Sequence, residues 1–288
     1  MIEFAFTVPA PLAEQKLQTV VERMLPHIPS QALREAFLRR DVKVDKVRTA
    51  RETRVAAGSE VKVYLFDACA AYAPSIQYED ERLLVIDKPA GVSCEADAKG
   101  GLTIGELLQS TYPGRFSIPP MPCHRLDNPT DGLLILAKDE TTLALMTQAF
   151  HERQVQKQYT CLVRGEPSPK HATLQAYLVK DAANAKVYVT EQKAHGSLTI
   201  ATEYEVLQTQ GEVTRLLVTL HTGRTHQIRA HMAYIGHPLL GDDKYGDRAF
   251  NRAQRAKRLM LTATSLRFAL TGELSYLNAL RLTLQPKF

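Results

Sequence analysis

The chain has 288 residues, 44% of them hydrophobic and 23% charged, with a formal net charge of +5. That is enough chain to bury a full core without disulfide or metal staples, as one large or two ordinary domains, and its composition is that of an ordinary globular protein. No stretch approaches the roughly 20 apolar residues of a membrane helix, Met1 to Phe4 shows no signal-peptide pattern, and Cys69, Cys94, Cys123 and Cys161 lie too far apart for a metal pair, so reduced thiols, a cytoplasmic location and no metal are expected.

Between Leu12 and Leu25, the residues Leu17, Val20, Val21, Met24 and Leu25 recur at helical spacing, until Pro26 and Pro29 interrupt them. Ser30 is placed to cap a second short helix, with Leu33, Ala36 and Phe37 on one face and Arg34, Arg39 and Arg40 off it. Val42 and Val44, then Val61, Val63 and Leu65, alternate with polar residues as half-buried strands do. Arg34, Arg39, Arg40, Lys43, Lys46, Arg48, Arg51 and Arg54 crowd this stretch, and Lys244, Arg248, Arg252, Arg255, Lys257 and Arg258 form a second basic cluster. Either cluster alone reads equally as a solvated face; two in one chain favour a polyanionic partner. The expected organisation is a small α/β domain over residues 1–66, an alanine-rich linker over 67–74, and a larger domain over 75–288.

Leu83 to Ile86 reads as a short buried strand ended by Lys88-Pro89 and Gly91. Thr103-Ile104-Gly105-Glu106 is a capping box that opens a helix to about Tyr112, with Leu102 and Leu107 placed as a hydrophobic staple. The next stretch, His124-Arg125-Leu126-Asp127-Asn128-Pro129-Thr130-Asp131-Gly132, is polar and carries both charge signs, and the apolar run Leu133 to Ala137 follows it. A polar loop fixed to a buried strand can hold a reactive group rigidly, and Asp127 is the candidate. On local chemistry alone a plain turn is an equal reading, because Asn128-Pro129 and Asp131-Gly132 are both turn dipeptides. Cys123 reads as a small buried side chain rather than a second nucleophile.

Asp139 can cap a helix with Leu143, Met146, Thr147 and Phe150 toward the core. Lys157 to Val163 reads as a strand carrying Tyr159, and two more strands lie at Tyr204 to Leu207 and Leu216 to Leu220. After Thr222-Gly223-Arg224-Thr225-His226-Gln227, the residues Ile228, Met232 and Ile235 mark a helix that Gly236 ends. This puts Arg224 at the helix start, beside backbone N–H groups free to meet an anion.

The His124 to Leu134 stretch resembles the catalytic motif of the RluA-type RNA pseudouridine synthases, His-Arg-Leu-Asp-x-x-Thr-Ser-Gly-Leu-Leu, with Asp131 in place of Ser. Asp87-Lys88-Pro89-Ala90-Gly91 is similar to that family's Asn-Lys-Pro-x-Gly opening, and Lys157-Gln158-Tyr159 to its Lys-x-Tyr motif. Thr222 to Arg229 matches Thr-Gly-Arg-x-His-Gln-Ile-Arg, and Gly236 to Gly246 matches the Gly-His-Pro-x-x-Gly-Asp-x-x-Tyr-Gly extension. Thr262 stands where the family commonly has His. Residues 1–66 loosely resemble an S4-type RNA-binding domain, with Asp41 and Asp45-Lys46 where that family favours Gly and Asn-Gly; a small α/β module without an RNA role is the competing reading.

The resemblance implies an α+β (mixed α/β) fold with a long, largely antiparallel sheet, a central RNA cleft and a small S4-like N-terminal domain. It implies isomerisation of uridine in structured RNA, large-subunit rRNA first and tRNA as the alternative, by a monomer without a cofactor. Asp127, Tyr159 and Arg224 take the catalytic positions. Arg125, His124, Thr130, Lys157, Thr225, His226 and Arg229 are expected to bind substrate. In this chemistry a carboxylate either attacks ribose C1′ or takes a ribose proton, in a site that excludes water. Arg224 would grip Asp127 at two points, Tyr159 would face the uracil, and Arg125 would fill the gap left by the flipped base or hold phosphate. Two other readings stay open: an RNA-binding or ribosome-assembly factor without activity, and a glycoside or nucleoside hydrolase using Asp127 with Asp131.

Overall fold

The computed structural model describes residues 2–28, 30–65, 74–96, 103–112 and 114–288, so residues 67–73 of the expected linker and Leu102 lie outside the described residues. The protein is α+β and divides into two compact units, Met1–Asn128 with Leu134–Thr147, and Pro129–Leu133 with Gln148–Phe288. The N-terminal 66 residues fall wholly within the first unit.

The first unit begins with β1 (Ile2–Thr7), then α1 (Leu17–Met24), α2 (Ser30–Leu38), β2 (Val42–Val44), β3 (Val47–Arg48) and β4 (Glu60–Leu65). The four strands form a sheet ordered β1-β4-β2-β3, with Val42 opposite Val63 and Val44 opposite Val61. Val61, Val63 and Leu65 are buried and their neighbours are not, so the alternation read from the sequence is the pleat of the sheet. The first helix starts at Leu17 rather than Leu12, because Ala10–Leu12 forms a separate 3-10 turn behind Pro9. Asp45 and Lys46 make the β2–β3 turn at positive φ without a glycine, and Asp45 Oδ1 accepts the Glu60 N–H at 2.9 Å.

This unit continues with β5 (Ser75–Glu79), β6 (Leu83–Lys88), α3 (Ile104–Thr111), β7 (Met121–Pro122), β8 (Asp131–Ala137) and α4 (Glu140–His151), the last two shared with the second unit. All six residues of β6 and all seven of β8 are buried, which accounts for their unbroken apolar runs. Both halves of the Thr103–Glu106 capping box are made. Asp139 caps α4 by accepting from the Thr142 N–H and hydroxyl at 2.7 and 2.8 Å. The buried stripe of α4 is Thr142, Met146 and Ala149; Thr147, expected in the core, is exposed.

The second unit adds β9 (Val155–Arg164), β10 (His171–Asp181), β11 (Lys186–Thr190), β12 (Leu198–Gln210), β13 (Val213–Leu220), α5 (Gln227–Tyr234), α6 (Arg248–Ala253), β14 (Leu261–Phe268) and β15 (Arg281–Thr283). Its strands run β11-β10-β12-β13-β9-β14, antiparallel throughout, and the start of β8 joins β14 in parallel, making the sheet mixed. Tyr159 on β9 lies opposite Val218 on one side and Ala263 on the other. No helix among the described residues is long and apolar enough to cross a membrane.

Two histidines are buried neutral. Burial, with the Lys88 charge adding to it, pushes His27 down to about 4; burial alone does the same to His231. Each folded value lies below the unfolded one, so stability is full above about pH 6.5 and falls as acid protonates the unfolded chain first. Denaturant titrations should show a loss of about 2 kcal/mol at pH 5 from His27. That portion should vanish in His27→Phe.

Candidate active site

The loop before β8 is anchored on both sides of Asp127. The Leu126 N–H donates to Cys94 Sγ at 3.4 Å, and the Cys94 thiol lies 3.6 Å from the Leu126 carbonyl. On the other side the Asn128 carbonyl accepts from the Gly91 N–H at 2.8 Å and from Lys88 Nζ at 3.3 Å. The Asn128 amide nitrogen donates to Ser93 Oγ at 3.0 Å. Lys88 is 0% exposed, and its ammonium also reaches the Pro89 and Val92 carbonyls, each at 2.9 Å. The Lys-Pro turn therefore holds the loop by its backbone, and Asp127, half-buried, is presented between two fixed neighbours. Cys94 and Lys88 were not marked as site residues by the sequence, whose only hint was the turn at Lys88-Pro89.

The residues around Asp127 sort by exposure. Arg125 is exposed beside Glu95, with Nη1 3.1 Å from the carboxylate. His124 is buried and its Nε2 accepts the Ile135 N–H at 3.2 Å, which ties the loop to β8. Thr130 is 2% exposed and its hydroxyl has no hydrogen-bond partner among the described residues. Cys123 is a buried free thiol pushed up to about 12 by burial, which leaves it no nucleophile at neutral pH.

Asp131 and Thr262, two of the departures from the family pattern, meet. They face each other in the parallel β8–β14 register, and the Thr262 hydroxyl donates to Asp131 Oδ1 at 2.5 Å. Arg258 Nη1 donates to Asp131 Oδ2 at 2.8 Å. The next residue, Gly132, sits at φ +113°, and a Cβ there would lie 2.4 Å from the Ala263 carbonyl oxygen. Only glycine allows this approach. Asp131 is thus spent on the β8–β14 junction, and Arg258 leaves the second basic cluster to meet it.

The second unit carries the other motifs. Tyr159 is 5% exposed. Burial lowers Lys157 to about 8; its Nζ lies 5.0 Å from the Phe150 ring centroid and would be 3.2 Å from a Cβ on Gly223. It has no carboxylate partner among the described residues. Arg224 and Thr225 are exposed, and Arg224 forms no ion pair with any described residue. Arg224 does not sit at the helix start: α5 begins at Gln227, behind His226 at φ +53°. Gln227, 2% exposed and not singled out by the sequence, builds the turn instead. Its Oε1 accepts from the Arg224 N–H at 3.0 Å and the Thr222 hydroxyl at 2.8 Å, while its Nε2 donates to the Ala201 carbonyl and the Thr202 hydroxyl. His226 Nδ1 is 2.9 Å from the Tyr245 hydroxyl, which also accepts the Val187 N–H.

Arg229 is 2% exposed and holds Asp242 at two points, 2.7 and 2.8 Å. Burial pushes the Asp242 carboxyl up, but the Arg229 pair and the N–H groups of Tyr245 and Lys244 outweigh it and hold it below the usual range. Both groups serve the fold of the Gly241–Gly246 segment. Arg248, Arg252, Arg255 and Lys257 remain exposed, as do Arg34, Arg40, Lys46 and Arg48 in the first unit, none paired with a described carboxylate. Among the described residues no group of three or more His, Cys, Asp or Glu is placed to hold a metal.

Comparison with known proteins gives three concordant results. Residues 82–234 match the family model described as RNA pseudouridylate synthase. The chain is 31% identical to ribosomal large subunit pseudouridine synthase C of Salmonella typhimurium, covering 93% of this chain and 89% of that one. It is 30% identical to the same-named protein of Escherichia coli K12, with the same coverage. Among solved structures it is similar to human RNA pseudouridylate synthase domain containing 1, with a TM-score of 0.62 and 27% identity over 75% of this chain and 84% of that one.

Proposed function

The chain belongs to the RNA pseudouridylate synthase family, and from that premise we propose that it converts specific uridines of large-subunit ribosomal RNA to pseudouridine, with Asp127 as the catalytic carboxylate. The observation that carries the choice of RNA is the likeness to relatives named for the large ribosomal subunit, which extends over 93% of the chain. In the reaction the C1′–N1 bond of the uridine breaks, the base turns, a C1′–C5 bond forms, C5 loses its proton and N1 gains one, so the product is an isomer of the substrate. A carboxylate at Asp127 can serve as nucleophile at C1′ or as base toward a glycal. Tyr159 offers a ring face to the uracil, and Arg125, exposed two residues before Asp127, is suited to fill the gap left by the flipped nucleotide. Lys157 and Thr225 add polar contacts to substrate. It acts as a monomer in this reading, and a ribosomal substrate goes with work in the cytoplasm. Residues 1–66 act as an S4-like RNA-binding module, the exposed cations Arg34, Arg40, Lys46 and Arg48 gripping phosphate without reading sequence.

Mapping pseudouridine in ribosomal RNA and tRNA from cells with and without the protein tests this. Loss of one or a few sites in large-subunit rRNA is expected. Loss confined to tRNA replaces the substrate, and no loss in either refutes the reading.

Arg224 is the cation proposed to grip Asp127 once RNA is bound. A guanidinium makes a planar two-point contact that an ammonium cannot reproduce. Arg224→Lys should therefore lower turnover at least tenfold, about 1.4 kcal/mol in the barrier, with an unchanged thermal melt. Wild-type turnover in the lysine variant would leave Arg224 as a phosphate contact.

A further inference from the structure

The N-terminal segment is packed against the same turn that holds the catalytic loop. His27, in the turn after α1, is 8% exposed, and neither ring nitrogen has a hydrogen-bond partner among the described residues. Its ring meets the edge of Phe4 with centroids 5.8 Å apart. It lies close enough to Lys88 for that charge to disfavour its protonation, second only to burial. Gly91 sits at φ +92°, and a Cβ there would be 3.3 Å from the Pro26 carbonyl oxygen and 3.7 Å from the His27 nitrogen. The backbone of the Pro26–His27 turn is thus in contact with the backbone of the Lys88–Gly91 turn. A second tie lies nearby: the Ala5 N–H of β1 donates to Ser110 Oγ on α3 at 2.9 Å. The Ile104 N–H at the start of that helix donates to the Ser93 carbonyl at 2.9 Å, and Ser93 Oγ in turn accepts from Asn128.

A module that only gripped RNA would need no such contact. Buried polar groups without partners are uncommon, and His27 fills a closed site between Phe4 and the Lys88 turn. Lys88 and Gly91 both donate to the Asn128 carbonyl, one residue from Asp127. We infer that the Pro26–His27 turn is a positioning element of the reaction: it backs the Lys88–Gly91 turn and so fixes the loop that presents Asp127. The inference rests on the reading of Asp127 as the catalytic carboxylate. It predicts that disturbing the N-terminal turn lowers turnover at saturating RNA, and not RNA affinity alone.

The test uses the full chain and deproteinised ribosomal RNA from cells lacking the protein. His27→Lys sets a second ammonium against Lys88 and should undock the turn. His27→Phe keeps an aromatic ring against Phe4 and should not. Expected are a fall in kcat of at least tenfold for H27K with RNA affinity within threefold of wild type, and a kcat within twofold of wild type for H27F. A kcat retained by H27K, or a loss confined to KM and affinity, overturns the inference. If the melt shows that H27K does not fold, His27→Ala, which only opens a cavity, takes its place; kcat lowered about threefold at unchanged affinity supports the inference, and unchanged kcat overturns it. A wild-type chain that makes no pseudouridine on this RNA sinks the functional reading itself, before any variant is compared.

Discussion

Asp127→Asn is expected to abolish isomerisation while leaving RNA affinity within about threefold of wild type. The substitution is nearly isosteric and removes only the carboxylate's charge and basicity. The contacts that shape the loop run through its neighbours: Leu126 through Cys94, and Asn128 through Gly91 and Lys88. None of these runs through the Asp127 carboxylate, so they should hold the loop backbone in the variant. Nucleophile and base alike require that carboxylate, and its loss should cost at least a thousandfold in turnover, about 4 kcal/mol in the barrier. Single-turnover formation of pseudouridine, alongside a binding titration on the same RNA, separates the two effects. A variant that keeps more than about a tenth of the wild-type rate, a loss under about 1.4 kcal/mol, would remove Asp127 from the chemistry.

Much of the fold around the candidate site was legible in the sequence because its parts are local. The capping box at Thr103, the Asp139 cap and the buried runs of β6 and β8 are each written in a handful of neighbouring residues. The parts that escaped depend on pairing across long separations. Gln227 is one polar residue at the start of a helix, and nothing nearby shows that it ties Thr222 and the Arg224 backbone to β12. β10 and β11 escape the sequence because they bury little: Ala176, Leu178 and Val187 are their buried apolar residues, and two of these three are an alanine and a lone valine. Arg229 was read as a substrate contact from its motif, yet its guanidinium is buried against Asp242, thirteen residues on. A motif marks which residues belong together; burial decides which of them face the substrate and which hold the segment in shape.

Asp131 and Thr262 carry that lesson furthest, and Arg258→Met tests it. In the sequence they stand 131 positions apart as separate departures from the family pattern, and the hydrolase reading pairs Asp131 with Asp127. In the structure Asp131 is turned to β14, where Thr262 and Arg258 take one oxygen each. The Asp131 side chain is 4% exposed and Arg258 34% exposed. Replacing the arginine strands a carboxylate with one neutral hydroxyl for company, and removing one partner of a buried pair costs about 3 to 5 kcal/mol, more than the pair contributes against apolar replacements. Because Arg258 is a third exposed, water can enter in its place, and the lower end, about 3 kcal/mol, is expected. Asp131→Ser removes the charge and should cost less. The double variant D131S/R258M should recover most of the stability lost in R258M, since no buried charge is left unpaired; Arg258 also donates to the Lys287 carbonyl at 3.2 Å, and that contact stays lost. Denaturant unfolding of the four proteins gives the coupling directly. Strict additivity of the two single losses would show that Arg258 does not neutralise Asp131, and would return it to the exposed cations Arg248, Arg252, Arg255 and Lys257 as one more contact for RNA phosphate.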